Sequence, residues 1–89
     1  MRAIVTVIGK DRVGIIAEVC TLLAGYDVNI LDISQTILQE YFTMIMLVDT
    51  SACSVPFVDL AGKLQAAGTE RSLEVRIQRE ELFNAMHRI

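Results

Sequence analysis

Hydrophobic positions along the chain switch between two periods, and the switches mark the elements. "RAIVTVIG" (residues 2–9) is short and rich in β-branched residues, which predicts a strand. The period then lengthens. Ile16, Val19, Cys20 and Leu23 recur at helical spacing, with Asp11 as the expected N-cap and Gly25 in the C′ position. "VNILDISQTIL" (28–38) returns to alternation: Leu31, Ile33 and Ile37 share one face, and Asp32, Ser34 and Thr36 the other. "YFTMIMLVD" (41–49) follows across the dipeptide "QE", which predicts a hairpin of antiparallel neighbours. Ser54 is expected to open a second helix, with Pro56 in its first turn, Phe57, Leu60, Ala61 and Leu64 on one face, and Gly68 at its end. "SLEVRIQR" (72–79) alternates cleanly, and "EELFNAMHRI" predicts a short amphipathic tail helix over about 80–89, with Leu82, Met86 and Ile89 on one side.

The order β-α-β-β-α-β plus a tail helix predicts one α+β domain over residues 1–89, with its core in 1–79. Two crossovers around a hairpin give the ferredoxin-like sandwich, an antiparallel sheet in the order 4-1-3-2. The patterning agrees with the central positions of the first and third strands. The third is apolar on both faces, with Phe42, Met44, Met46 and Val48 opposite Tyr41, Ile45 and Leu47; the first sets Ala3, Val5 and Val7 against Ile4 and Ile8. A strand apolar on both faces must be covered on both. Two helices cover one side of the sheet, so the middle of the other side calls for the tail helix, a partner subunit, or both.

Composition narrows the function classes. A chain of 89 residues buries a marginal core by itself, which favours association. The net charge is −3 with no basic run, which argues against direct nucleic-acid binding. No apolar stretch approaches the length of a membrane span, and "MRAIVTVIG" carries no cleavage-site pattern, so the cytoplasm is the expected location. Cys20 and Cys53 do not form a disulfide framework, and His87 alone makes no metal site. No metal and no cofactor is expected.

The chemistry concentrates in "IGKDRVGIIAEV" (8–19), which joins the first strand to the first helix. A helix N-terminus carries unpaired N–H groups and partial positive charge, a seat for a carboxylate or phosphate. Gly9 and Gly14 allow a tight turn and close approach of a ligand. Lys10 and Arg12 add charge; Asp11 either caps the helix or meets an ammonium group. A loop that addresses both a carboxylate and an amine suits an amino acid. An ordinary strand-to-helix turn with an Asp cap reads the same way.

The stretch "VTVIGKDRVGIIAEVCTLLAGYDVNILDISQTIL" resembles an ACT domain, the small regulatory module of amino-acid metabolism. The features that match are "GKDRVGI" at the end of the first strand, the helix "IAEVCTLLAGYDVNI" and the strand start "NILDISQ". The closing "QREELFNAMHRI" is similar to the tail of a stand-alone bacterial and archaeal group of ACT proteins of uncharacterised function, itself similar to the ACT modules of the glycine-cleavage repressor type. The resemblance implies a homodimer that binds a small effector, an amino acid above all, at an interface. Asp11, Arg12, Val13, Gly14 and Ile15 would line one side of that site, with Gly9 and Lys10 beside them. Asn29 and Ile30 would line the other, sometimes from the neighbouring subunit.

Other users of this topology fit less well. Acylphosphatases place a phosphate-binding loop after the first strand, but "GKDRVGI" puts an acid there. RNA-recognition modules need exposed aromatics on the central strands, and the first strand has none. No C-x-x-C is present for a metallochaperone. No catalytic residue is assigned. The expected function is an amino-acid-binding regulatory homodimer; the alternative is an interaction module that binds an unknown protein partner through its apolar sheet face.

Overall fold

The computed structural model describes residues 1–81. The elements run β1 (Arg2–Lys10), α1 (Ile15–Gly25), β2 (Asn29–Leu38), β3 (Tyr41–Asp49), α2 (Phe57–Glu70) and β4 (Leu73–Arg79). They form an antiparallel sheet in the order β2-β3-β1-β4, the ferredoxin-like arrangement expected from the patterning. The tail helix expected over about 80–89, with Leu82, Met86, His87 and Ile89, lies outside the described residues from position 82 onward.

β1 is the axis of the sheet, paired with β3 along its whole length and with β4 over Ala3–Gly9. Directly opposed residues project to the same side, so side chains line up in rows. Val5 lies between Met46 and Ile77, and Val7 between Met44 and Val75; all are buried. Ile15, Val19 and Leu23 of α1 and Leu60 and Leu64 of α2 close the core over these rows. Each such side chain contributes roughly 1.5–3 kcal/mol on leaving water. At the next row Gly9 lies between Phe42 and Leu73, and a Cβ there would stand 2.5 Å from Leu73 Cδ2. Gly9 therefore makes room for a neighbour in the core.

Several element ends differ from the sequence reading, each for a packing reason. The buried stripe of α1 starts at Ile15, while Ile16 is exposed and Cys20 half-buried. Asp27 holds the left-handed position, with φ 59°. Its N–H donates to the Ala24 carbonyl and that of Val28 to the Leu23 carbonyl, at 3.0 and 3.1 Å, which is a Schellman ending with Val28 buried behind it. Gly25 is simply the last helical residue. α2 begins at Phe57 with Pro56 in the N-cap place; Ser54, expected to open it, instead donates its N–H to the Tyr26 carbonyl at 3.0 Å. α2 also runs past Gly68 to Glu70. A Cβ on Gly68 would lie 2.7 Å from Val75 Cγ2 and 2.9 Å from the Leu73 carbonyl oxygen, so this glycine lets α2 sit down on β4.

β2 contains a bulge. Asn29 and Ile30 pair with Asp49 and Val48, then Asp32 pairs with Leu47, leaving Leu31 without a partner. One extra residue inverts the facing of everything after it. Ile33, Gln35 and Ile37 consequently share the helix side with Met46, Met44 and Phe42, and Asp32, Ser34 and Thr36 share the other. Ile33 and Ile37 keep the common face that alternation predicts, and the bulge separates Leu31 from them. On the side away from the helices Ile8, Tyr41 and Ile45 are exposed and Ile4 and Leu47 half-buried, the apolar middle expected there.

Two glycines of α2 provide a test of the packing. Around Gly62 an added Cβ meets nothing within 4 Å among the described residues. Gly62→Ala is expected to stabilise the fold by roughly 0.5–1 kcal/mol, and Gly68→Ala to cost about 1–3 kcal/mol through overpacking against β4. Urea unfolding of the two variants reads both signs on one helix; a Gly68→Ala protein as stable as Gly62→Ala would contradict the close approach.

Candidate functional site

The turn after β1 is built by three constraints. Lys10 ends the strand opposite Tyr41. Asp11 donates its N–H to the Glu40 carbonyl at 2.7 Å, tying the loop to the β2–β3 hairpin. Gly14 then takes φ 92° and ψ 0° at the N-cap of α1, and its carbonyl accepts the Glu18 N–H at 2.9 Å. Glycine, with no Cβ, enters that left-handed region at least cost. Asp11, expected to cap the helix, sits three residues short of the cap position, and no described side chain caps α1. Among the described residues the N–H groups of Ile15, Ile16 and Ala17 therefore have no protein acceptor, and they carry the positive end of the helix dipole.

These groups open onto a cleft of about 480 Å³. Its loop side is formed by Asp11, Arg12, Gly14 and the first turn of α1; its sheet side is formed by Gln35, Ile37 and Phe42. The bulge at Leu31 is what delivers Gln35 to it. Gln35 is the one polar residue between Ile33 and Ile37 on the helix side of β2, opposite fully buried Met44. An amide offers both a donor and an acceptor. An uncapped helix end, an amide and an apolar wall can hold a small molecule that carries a carboxylate and an apolar or short polar body.

The loop residues predicted from the sequence divide by role. The side chain of Ile15 is in the core, only 2% exposed, so that residue offers the cleft its backbone alone. Val13 is 99% exposed, outside the cleft lining. Lys10 is exposed at the strand end. The Arg12 guanidinium is bonded to the Glu18 carboxylate and reaches the Arg71 carbonyl at 3.4 Å. That hydrogen bond from Arg12 lowers the Glu18 pKa below the ordinary carboxylate value; desolvation opposes it in part, and the charges of Arg12 and Arg71 each add a lesser downward pull. The sequence reading missed Gln35, Ile37 and Phe42. The one signal for them was the odd spacing from Ile30 to Ile33, which a regular strand cannot place on one face.

Residues 2–78 match the family model for the ACT domain. The chain belongs to the ACT domain family. It is 54% identical over the full length of both chains to a UPF0237 protein of Clostridium acetobutylicum. It is 50% identical to one from Methanocaldococcus jannaschii, across 99% of this chain and 98% of the relative. The relatives thus span bacteria and archaea. Among solved structures it is similar to an ACT domain protein from Streptococcus pneumoniae, with 41% identity, TM-score 0.83 and 98% of each chain covered. It also shares the fold of a protein assigned as a glycine cleavage system transcriptional repressor, at TM-score 0.71 and 24% identity, across 86% of this chain and 44% of that one. The ACT domain is typically a regulatory, ligand-binding module.

Within one copy of this ACT domain, Asn29 and Ile30 do not meet the loop. β1 and β2 are both antiparallel to β3, hence parallel to each other. The loop leaves the end of β1, whereas Asn29 begins β2 in the row of Asp49 and Arg2. The eight strand steps from Arg2 to Lys10 separate them by roughly 26 Å. At the Asn29 end a different polar knot forms. Asp49 Oδ1 accepts from the Ser51 hydroxyl at 2.6 Å and the Ser51 N–H at 2.9 Å, and it meets the Met1 amino group at 3.4 Å. Ser51's hydroxyl and N–H, with a lesser contribution from the amino terminus, hold the Asp49 pKa down to about 2 from 3.8. A depressed folded-state pKa contributes stability that is complete above the unfolded value and lost as pH falls through the folded one. The stability of the native chain is therefore expected to decline between pH 3.8 and about 2, and Asp49→Asn to flatten that part of the curve in acid titrations followed by circular dichroism. An unchanged slope in the variant would show that the knot does not persist in solution.

Proposed function

We propose that this chain is a cytosolic, non-enzymatic regulatory ACT protein that binds an amino acid as a homodimer, with the ligand's carboxylate at the N-terminus of α1. The observation that carries this reading is the uncapped first turn of α1, opening onto the cleft against Gln35 and Ile37. The unbonded N–H groups of Ile15–Ala17 favour a carboxylate. Asp11, in the same lining, supplies the opposite charge for an amine. No described helix is long and apolar enough to cross a membrane, and Cys20 and Cys53 are free thiols, as suits a reducing compartment.

The dimer half of the reading rests on β2. It is an edge strand of ten residues, with Leu31, Ile33, Ile37 and Leu38 exposed and Asp32 its single charge. Natural edges of that length are usually guarded by lysine, proline or short strands; β4, the other edge, carries Glu74, Arg76 and Arg79. Two copies paired antiparallel through β2 satisfy both edges. Such a dyad brings the start of the second copy's β2, where Asn29 lies, beside the end of the first copy's β2, next to the cleft. The Asn29 and Ile30 side of the site would then come from the neighbouring subunit.

Thermal shift against the twenty amino acids at millimolar concentration is expected to single out one or a few that stabilise the fold. Ile37→Lys, which charges both the edge and the cleft wall, is expected to give monomers in sedimentation velocity and to abolish that shift. No stabilisation by any amino acid would end the amino-acid reading. The second reading, a module that docks a protein partner on the face of Ile8, Tyr41 and Ile45, predicts the reverse: Ile45→Asp disrupts association and Ile37→Lys does not.

A further inference from the structure

Among the described residues Arg12 is the one cation lining the cleft, yet its guanidinium is bonded to Glu18 and the Arg71 carbonyl, which do not line it. One nitrogen donates to the Glu18 carboxylate and another reaches the Arg71 carbonyl at 3.4 Å. Arg71 flanks Glu18 from the other side, Nε to Oε1 3.7 Å, and is itself anchored by donating from Nη1 to the Ala67 carbonyl at 2.8 Å. Three side chains thus join the loop before α1, the flank of α1 and the end of α2. An isolated exposed ion pair holds little geometry, but several charges in a network hold more. Here one member is half-buried and fixed to a helix end. Glu18 itself does not line the cleft; with Arg71, Leu22 and Tyr26 it borders a separate groove along α1.

We propose that Glu18, steadied by Arg71, is a positioning residue that parks the Arg12 guanidinium outside the cleft, so that a carboxylate ligand gains this charge only by winning it from Glu18. This rests on the carboxylate reading of the cleft given above. Glu18 and the ligand present the same group to the same guanidinium, so the exchange trades one charge-assisted pair for another. Occupancy of the cleft then also loosens the contact between Arg12 and the Arg71 carbonyl, which carries the event to the α2–β4 turn.

The test is NMR on the full chain, with acetate and glycine as probes. In the ligand-free protein Glu18→Gln is expected to shift the Arg12 side-chain signals and the amides of Arg71–Leu73; signals that stay put overturn the proposal without reference to any ligand. In titrations followed at the Ile15–Ala17 amides, Glu18→Gln is expected to bind both probes about tenfold more tightly than the native chain. Adding Arg12→Ala is expected to erase the gain. Equal affinity overturns the proposal, and so does a gain that survives the loss of Arg12, since it reflects only the removal of a nearby negative charge. If neither probe moves those amides in any variant, the carboxylate reading fails. A ligand-free shift on Glu18→Gln would then mark a structural ion pair and nothing more.

Discussion

The antiparallel clamp of β1 between β3 and β4 is the constraint on which the other features depend. It stacks Val5 and Val7 in rows with Met46, Ile77, Met44 and Val75, all withdrawn from water. Those rows set the height at which the helices settle. They also set where the chain must turn: Lys10 is the last residue paired to β3, and the next N–H, from Asp11, is taken by Glu40 of the hairpin. The loop has only Arg12–Gly14 in which to reverse and start α1 with Ile15 already in the core. The left-handed Gly14 meets that demand, and an uncapped helix end facing the sheet is its by-product.

Glycines mark the places where backbone comes closest to something else. Gly9 yields to Leu73 and Gly68 to β4, both for packing. Among the described residues nothing crowds a Cβ on Gly14, and this glycine is needed for its conformation. From the sequence, Gly9 and Gly14 looked like a pair serving one loop, yet they solve different problems. A similar division separates the charges. Asp11 and Arg12 line the cleft, with the Arg12 guanidinium bonded to Glu18 on α1, and Asp49 is tied to Ser51 and the amino terminus at the far end of the sheet.

Among the described residues, the edge at β2 and the sheet face away from the helices both leave apolar side chains exposed. Both follow from topology: four strands have two edges, and two helices cover one side. The edge bears directly on the site, because β2 supplies Gln35 and Ile37 to the cleft's sheet wall. The cleft and the open edge therefore lie on the same strand.

The amino-acid sequence by itself determined the strands, helices and their order, because alternation and helical spacing are local properties of neighbouring residues. The hairpin at "QE", the two-faced third strand and the one-faced fourth strand were all legible that way. The position of the loop at the head of α1 was legible too, since glycine and charge are local signals. The tertiary structure alone decided which residues the loop meets. The Leu31 bulge exchanges the two faces of β2 and so brings Gln35 and Ile37 to the cleft, while parallel β1 and β2 put Asn29 at the far end. Arg12 finds Arg71, 59 residues along the chain, only because α2 packs on β4. Contacts at that separation depend on register and packing summed over the whole sheet, which no short window of sequence contains.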